Sequence, residues 1–394
     1  MKSLRQILVV TRMNLMNLPQ RLGSSLVVVF GNVGVVAVFV SVLAMAVGFR
    51  HTINTTGRPD RAIVMRGGAS SELTSVLGRD GAQVISDAQE IKKNSSGQKI
   101  VSPELVLSVD MIQKSGGNHA NVTLRGIGPM GLQVRPETHI TAGRMFQSGR
   151  QEIIVGVAVQ KQFKGLAVGE HVNFGGSEWV VVGAFSSNGD LHESEVFADV
   201  ESVSGTYRRN SYNSVTALLE SPDAFDDFKA YLTSNPSLTV DVMRETDYYA
   251  GLSQQLSKLL TQVGWLVGGI MAIGAVFGAL NSIYAAVGSR RVEIATLRAI
   301  GFSAESVVVS IVVEALILAF AGGIIGAALS WVAFNGNAVN TLGGGNTQVV
   351  FQLMVTPVLI SLGLVMALGV GLVGGLIPAA HAARLPVATA LRGL

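Results

Sequence analysis

The chain contains no cysteine, which removes disulfides, thiolate nucleophiles and cysteine-based zinc sites, and is compatible with an oxidising compartment without proving one. It also lacks a G-x-x-x-x-G-K-[ST] loop, a pair of histidines at metalloprotease spacing and a G-x-S-x-G turn. No motif therefore supports a self-contained nucleotide-binding enzyme or hydrolase. Charge is scarce: 14% of the 394 residues are charged against 48% hydrophobic. That is too apolar for one ordinary soluble domain, yet the charges concentrate in the middle of the chain, so it is not all membrane either.

Four mostly apolar runs of the length needed to cross a bilayer set the class, at residues 24–48, 259–287, 306–334 and about 349–380. The basic start, the first run and Ala44-Met45-Ala46 together imitate a secretory signal peptide. The run is longer than the usual apolar region of such a peptide, so it is expected to stay as a span.

Basic residues are distributed with a clear bias. Lys2, Arg5, Arg12 and Arg21 precede the first run, Arg290, Arg291 and Arg298 lie between the second and third, and Arg384 and Arg392 follow the fourth. These nine face only Glu293 and Glu305, whereas the block from Phe49 to Lys258 balances 20 basic against 23 acidic residues. Cytoplasmic loops are the ones enriched in Lys and Arg, so both termini are expected in the cytoplasm and the large block outside. The expected division is a cytoplasmic amphipathic helix at 1–23, spans at 24–48, 258–287 (with its stalk), 305–334 and 349–380, an outer α+β domain at 49–257, a bridge at 288–304, a short outer loop at 335–348 and a cytoplasmic tail at 381–394. In 1–23, Leu4, Ile7, Leu8, Leu15, Leu18 and Leu22 recur at helical spacing beside the basic residues, which suits a helix lying on the lipid of the inner leaflet, with Pro19 at the bend. A disordered basic leader is the alternative.

Within the outer block, strand-like runs at 61–66, 104–113, 121–127, 151–156, 177–185, 214–219 and 238–243 alternate with helix-like ones at 80–90, 157–164 and 223–233. That is an α+β domain, and glycine-rich turns leave room for a second lobe inserted somewhere in 70–150. After Met243 a helical pattern runs into the second span, with a break near Gly264 or Gly268 as the alternative to one continuous helix. Glycines four apart at 264/268, 274/278, 322/326 and 371/375 allow close helix contacts. His192-Glu193-Ser194-Glu195 is the one cluster with metal-ligand chemistry; a polar loop has the same composition, and no metal site is expected.

The bridge holds the candidate functional residues. Arg290, Arg291, Glu293 and Arg298 fall within nine positions between two nearly uncharged runs. Ile294, Leu297 and Ile300 form one apolar edge of a short helix, Gly301 stops it, and Ser303 can cap the next. Three arginines keep such a helix out of hydrocarbon, against water, headgroups or another protein. Glu314 is the ionisable residue well inside a span; nine residues past Glu305, it lies roughly 13 Å from the inner surface. It serves as a partner for an arginine of the bridge or a polar path, or else as a hydrogen-bonded packing feature.

Arg290-Arg291-Val292-Glu293-Ile294-Ala295-Thr296-Leu297-Arg298-Ala299-Ile300-Gly301 resembles the R-x-x-E-I-x-x-L-R-A-x-G bridge of the FtsX-like permease family, which includes macrolide-exporter and lipoprotein-releasing permeases. Glu314-Ala315 followed by Gly322-Gly323 and Gly326, and the tail from Pro378 to Arg392 with Arg384 and Pro386, resemble its next helix and its closing motif. The resemblance implies a membrane protein with four transmembrane helices and the α+β extracytoplasmic domain inserted between helices 1 and 2. It implies that Arg290, Arg291, Glu293, Ile294, Leu297, Arg298, Ile300 and Gly301 form a coupling helix docked on a separate ABC ATPase. ATP and magnesium would sit on that subunit, and no cofactor on this chain. A second permease copy or paralogue, a periplasmic adaptor and membrane lipid are the further partners expected in the bacterial inner membrane, and no nucleic acid. Export or extraction driven by motion of the outer domain is the implied activity; a signalling permease that switches on a cell-wall hydrolase is the alternative.

Overall fold

The computed structural model describes residues 2–17, 22–342 and 347–384. The bend expected at Pro19 and the tail motif from Leu385 onward lie outside them. In chain order the elements begin with α1 (Lys2–Met16), α2 (Leu22–Asn54), β1 (Arg61–Arg66), β2 (Leu77–Gly78), α3 (Arg79–Ser86), β3 (Val101–Ile112), β4 (His119–Ile127), α4 (Gly131–Val134) and β5 (His139–Gly143). They continue with β6 (Glu152–Gly156), α5 (Val157–Gln162), β7 (His171–Phe174), β8 (Ser177–Ser186), β9 (Glu195–Asp199), α6 (Val200–Tyr207), β10 (Ser211–Tyr212), β11 (Ser214–Leu218), α7 (Ala224–Ser234) and β12 (Val240–Arg244). The last are α8 (Glu245–Ser289), α9 (Arg291–Ala299), α10 (Ala304–Phe334), β13 (Ala338–Leu342), β14 (Gln348–Gln352) and α11 (Pro357–Ala383). Contacts divide the chain into a helical unit, Met1–Val47, Lys258–Asn337 and Leu353–Leu394, and an α+β unit, Gly48–Ser257 and Ala338–Gln352.

The α+β unit is built on a ten-stranded sheet ordered β12-β1-β11-β3-β4-β9-β6-β8-β5, with β7 also on β8. β6 and β9 are buried along their whole length, as central strands covered on both faces are. β4 with β9 and β6 with β8 run parallel, and the other pairs in the sheet are antiparallel. β3 belongs to both halves of the sheet, because its first residues pair with β11 and Leu105 to Ile112 pair with β4. The segment 70–150 therefore does not close into a lobe of its own; its strands are completed by β9, β11 and β8, which come later in the chain. The core between sheet and helices is formed by Trp179, Val181, Val196, Phe163, Phe228 and their neighbours.

The outer loop expected at 335–348, and the first residues of the fourth apolar run, fold differently from the sequence expectation. They form the hairpin β13–β14, in register from Ala338 opposite Gln352 to Leu342 opposite Gln348. Val350 N–H donates to the Ser194 hydroxyl at 2.9 Å, and the Gln113 amide donates to Gln348 Oε1 at 2.8 Å, so the hairpin is held by the α+β unit. α11 starts only at Pro357, whose missing N–H is no loss at the first helical position, with Thr356 as the cap.

Among the described residues four helices are long and apolar enough to cross a membrane: α2, α8, α10 and α11. α8 passes Gly264 and Gly268 without a break. Three of the four glycine pairs are where helices touch inside the helical unit. A Cβ on Gly322 or Gly326 would lie 2.6 or 2.7 Å from the Val29 or Val33 carbonyl oxygen of α2, and one on Gly375 would lie 2.7 Å from Ala315 Cβ of α10. Gly264 and Gly268 face Leu43 and Phe39 of α2. Gly274 and Gly278 face no atom of the described residues within 4 Å.

Candidate functional site

The bridge forms the short helix α9, and the local signals act as their chemistry dictates. Gly301 takes a φ of +98°, open to glycine and strained for other residues, and Ser303 accepts the Ser306 N–H to start α10. α1 lies against this corner: Ser303 N–H donates to Gln6 Oε1 at 3.4 Å, and the Asn14 amide donates to the Ser310 hydroxyl.

The eight bridge residues do not share one face. Ile294 is buried against Ile283, Val287, Val307 and Ile311, Leu297 is half-buried, and the Arg298 guanidinium donates to the Ala383 carbonyl at the end of α11. Arg290 is only 5% exposed, with Nη1 donating to Glu314 Oε2 at 3.3 Å and Nε lying 3.8 Å from Glu293 Oε2. Arg291, Glu293, Ile300 and Gly301 are exposed. The apolar edge expected from Ile294, Leu297 and Ile300 is thus split, since the first two seat α9 on its own unit and Ile300, at 69% exposure, does not. Val292, 41% exposed, joins Thr296 and Ile300 on the outward side. Its spacing of four to Thr296 and eight to Ile300 was the signal available for it.

Glu314 and Arg290 are brought together, a contact common to a partner of the bridge and to a hydrogen-bonded packing feature. The pair closes one side of a narrow cleft of about 40 Å³ between α1, α2, α8, α9 and α10. Arg290 Nε and Nη2 have no hydrogen-bond partner among the described residues.

A second cluster, in the α+β unit, was not legible as one. Arg125 donates to Glu195, Glu72 and Glu104 with Nε, Nη1 and Nη2 through five contacts of 2.8–3.0 Å. Arg135 holds Glu104 from Nη2 at 2.9 Å, and its Nε donates to His192 Nε2 at 3.3 Å. His192 Nε2 must then accept, so the ring proton sits on Nδ1, which donates to Glu195 Oε2 at 2.9 Å. Arg61 joins Glu245, at the start of α8, to Glu137 and to the Val134 carbonyl. Gly57, at φ +91°, makes this possible, because a Cβ there would lie 3.1 Å from Glu245.

Burial alone would raise the Glu104 carboxyl, but the Arg135 and Arg125 guanidiniums outweigh it and bring it down to about 2. Glu195 is likewise pushed up by burial and held well below the carboxylate range by Arg125 and His192. Asp190, which caps the turn Leu191–Ser194 by accepting the His192 N–H, has no arginine beside it among the described residues, and burial raises it to about 6. Both His192 nitrogens are engaged by protein groups, and no group of three or more metal-ligating side chains occurs among the described residues. The cluster is an ion network that ties β1, β3, β4 and β9 to the first turn of α8.

Two family models match the chain: the MacB-like periplasmic core domain over residues 25–235 and the FtsX-like permease C-terminal region over residues 265–387. The macrolide export ATP-binding/permease protein MacB of Bdellovibrio bacteriovorus is 24% identical over 91% of this chain and 58% of its own length. The uncharacterized ABC transporter permease YknZ of Bacillus subtilis is 24% identical over 60% of this chain and 61% of its own. The chain thus spans less than two thirds of the length of either. Among solved structures, the extracellular domain of the noncanonic ABC-type transporter YknZ from Gram-positive bacteria is 18% identical, with a TM-score of 0.36 over 46% of this chain and 99% of that one.

Proposed function

The chain belongs to the FtsX-like permease family, with a MacB-like periplasmic core domain, and on that premise we propose that it transmits the work of a partner ABC ATPase to that domain, in an export or extraction system of the bacterial inner membrane. The observation that carries this reading is α9, a short charged helix between two spanning helices with one edge buried in its own unit and Arg291, Val292, Thr296 and Ile300 on the other. A helix held rigidly on one side and exposed on the other is suited to receive a push. α8 has one end at the bridge and the other in the ion network of the core domain, so it is the element through which the push travels.

ATP and magnesium belong to the partner, since these 394 residues lack the glycine-rich loop whose amides hold phosphate. The basic residues near the bridge and both ends favour a cytoplasmic position for all three. A second permease copy or paralogue has a face available on α8, where Gly274 and Gly278 leave the backbone open to a neighbouring helix. The cargo class is an amphiphile, lipid, lipoprotein or peptide at the outer face, delivered with the help of a periplasmic adaptor.

Two measurements test the reading. The purified chain is expected to show no ATP hydrolysis until the partner ATPase is added, and turnover by the chain alone would refute it. A pull-down of the tagged chain from detergent is expected to bring down the ATPase together with an adaptor. Recovery of a cell-wall hydrolase in place of the adaptor would favour the signalling alternative.

A further inference from the structure

Arg290 and Arg298 stand at the two ends of α9, and both turn inward while Arg291 between them faces out. Arg290 reaches α10 through Glu314, and Arg298 reaches α11 by donating to the Ala383 carbonyl. The last carbonyls of a helix have no partner within it and form the negative end of its dipole, so a guanidinium there is held by charge as well as by a hydrogen bond. Between the two arginines, Ile294 belongs to one apolar cluster with Ile283 and Val287 of α8, Val307 and Ile311 of α10, and Ala379 and Ala382 of α11. α9 is therefore seated on three apolar helices and not on α8 alone.

α11 leads back to the α+β unit through the chain itself. Residues 353–356 join β14 to α11 and have little slack. Leu353 N–H donates to the Asn337 carbonyl and Gly336 N–H to the Leu353 carbonyl, each at 2.9 Å, and Val355 N–H donates to Asn335 Oδ1 at 3.0 Å. β14 is fixed at its middle, where Val350 N–H donates to the Ser194 hydroxyl at 2.9 Å and the Val350 carbonyl accepts from it at 3.3 Å. Ser194 ends the turn that carries His192 and is followed by Glu195, both members of the ion network. We infer that Arg298 is a strut rather than a grip: it passes the load on α9 to α11, and α11 passes it through β14 to Ser194, a second line to the core domain beside α8. This rests on the reading of α9 as the coupling helix, and it makes Arg298 a positioning residue where the family resemblance alone implied a contact with the ATPase.

The test uses the full chain with its partner ATPase in detergent micelles. Hydrogen exchange of the hairpin β13–β14 and of the first turns of α8 is read by mass spectrometry before and after ATP is added, with ATPase retention measured on the same samples. In the natural chain ATP is expected to change exchange in both segments. Arg298→Gln should keep the ATPase bound and the α8 response intact, while the ATP-dependent change in hairpin protection falls about tenfold, the scale of one charge-assisted hydrogen bond. Arg298→Lys, which keeps a positive donor at the carboxyl end of α11, should recover part of it. Asn335→Ala loosens the connection at the other end of α11 without touching α9; it should lower the hairpin response in the same selective way, and it decides the matter should Arg298→Gln not fold. A merely structural role would lower the unfolding temperature without separating the two responses. Loss of ATPase binding in Arg298→Gln would make the residue a grip, an equal loss in hairpin and α8 would mean that α9 had left its seat, and an unchanged hairpin would leave α8 as the single line; each overturns the proposal. Failure of the coupling reading looks different: the natural chain itself would retain no ATPase, or neither segment would respond to ATP, and the strut would fall with it.

Discussion

Arg125 and Arg290 are both buried, and they are held in opposite ways. Arg125 meets three carboxylates from three directions and leaves no side of its guanidinium unmatched, while Arg290 has one hydrogen bond to Glu314, a looser approach to Glu293, and two nitrogens facing a cleft. A charge removed from water and fully paired adds little net stability but is ruinous to unpair. A charge removed from water and half paired keeps a reason to bind something else. The first arrangement suits a joint that must not move, and the core domain has it where the first turn of α8 enters. The second leaves two guanidinium nitrogens that no described residue takes up.

The largest expected effect breaks the first arrangement. Arg125→Leu leaves Glu72, Glu104 and Glu195 buried without their common partner, and the expected loss is about 3–5 kcal/mol of stability in the α+β unit. Thermal unfolding of the full chain in detergent, with proteolysis of the α+β unit as a second readout, checks it. A loss under about 1 kcal/mol, the scale of an exposed ion pair, would mean that the network is far more solvated than its burial indicates.

A smaller effect sharpens the contrast within the network itself, between carboxyls with an arginine and one without. Glu104, held down at about 2, contributes stability that is present above its ordinary range near 4.5 and lost as pH falls through the folded value. Asp190 has the opposite sign. With burial raising it from 3.8 to about 6, the folded chain binds a proton there that the unfolded chain has already lost. Stability should therefore fall as pH rises across that window and level off above about 6, by on the order of 2–3 kcal/mol. Asp190→Asn should flatten this slope and make the chain more stable at pH 7 while changing little at pH 4. Unfolding temperature against pH for both proteins is the measurement, and parallel curves would remove Asp190 as the cause.

The sequence carried the fold where local signals agreed with the final environment. β1 is a short apolar run bounded by turns, the spans are long and apolar, and Gly301 and Ser303 end one helix and start the next as their side chains dictate. β9 was missed because its first residue closes the polar run His192 to Glu195, and because burial on both faces erases alternation. The hairpin β13–β14 was missed because an uncharged stretch beside a span reads as more span. The ion network was invisible for another reason: Glu72, Glu104, Arg125 and Glu195 are far apart in sequence, and a polar residue in a strand ordinarily marks the solvent side. On the bridge, sequence put the arginines in the right nine positions but could not say which turned inward, since neighbours on a helix point about 100° apart.

The smallest expected effect on stability is also the one that tests the outward face of α9. Ile294 and Ile300 are the same residue type six positions apart, one buried against α8 and α10 and the other 69% exposed. Ile294→Ala removes buried methyls and should destabilise the helical unit by about 2–3 kcal/mol. Ile300→Ala removes nothing from the core, so its stability change should stay within about 0.5 kcal/mol. If the exposed side of α9 is what the ATPase grips, Ile300→Ala and Val292→Ala should nevertheless weaken ATPase binding by about 1–2 kcal/mol each, as apolar groups at the centre of a contact do. Arg291→Ala should cost less and mainly at low salt, because an exposed charge at the rim is screened. The ATPase that stays with tagged permease at two salt concentrations reads all four variants. Undiminished binding by the doubly substituted Val292 and Ile300 protein, with expression unchanged, would leave α9 as a helix resting on headgroups and would move the coupling contact elsewhere on the chain.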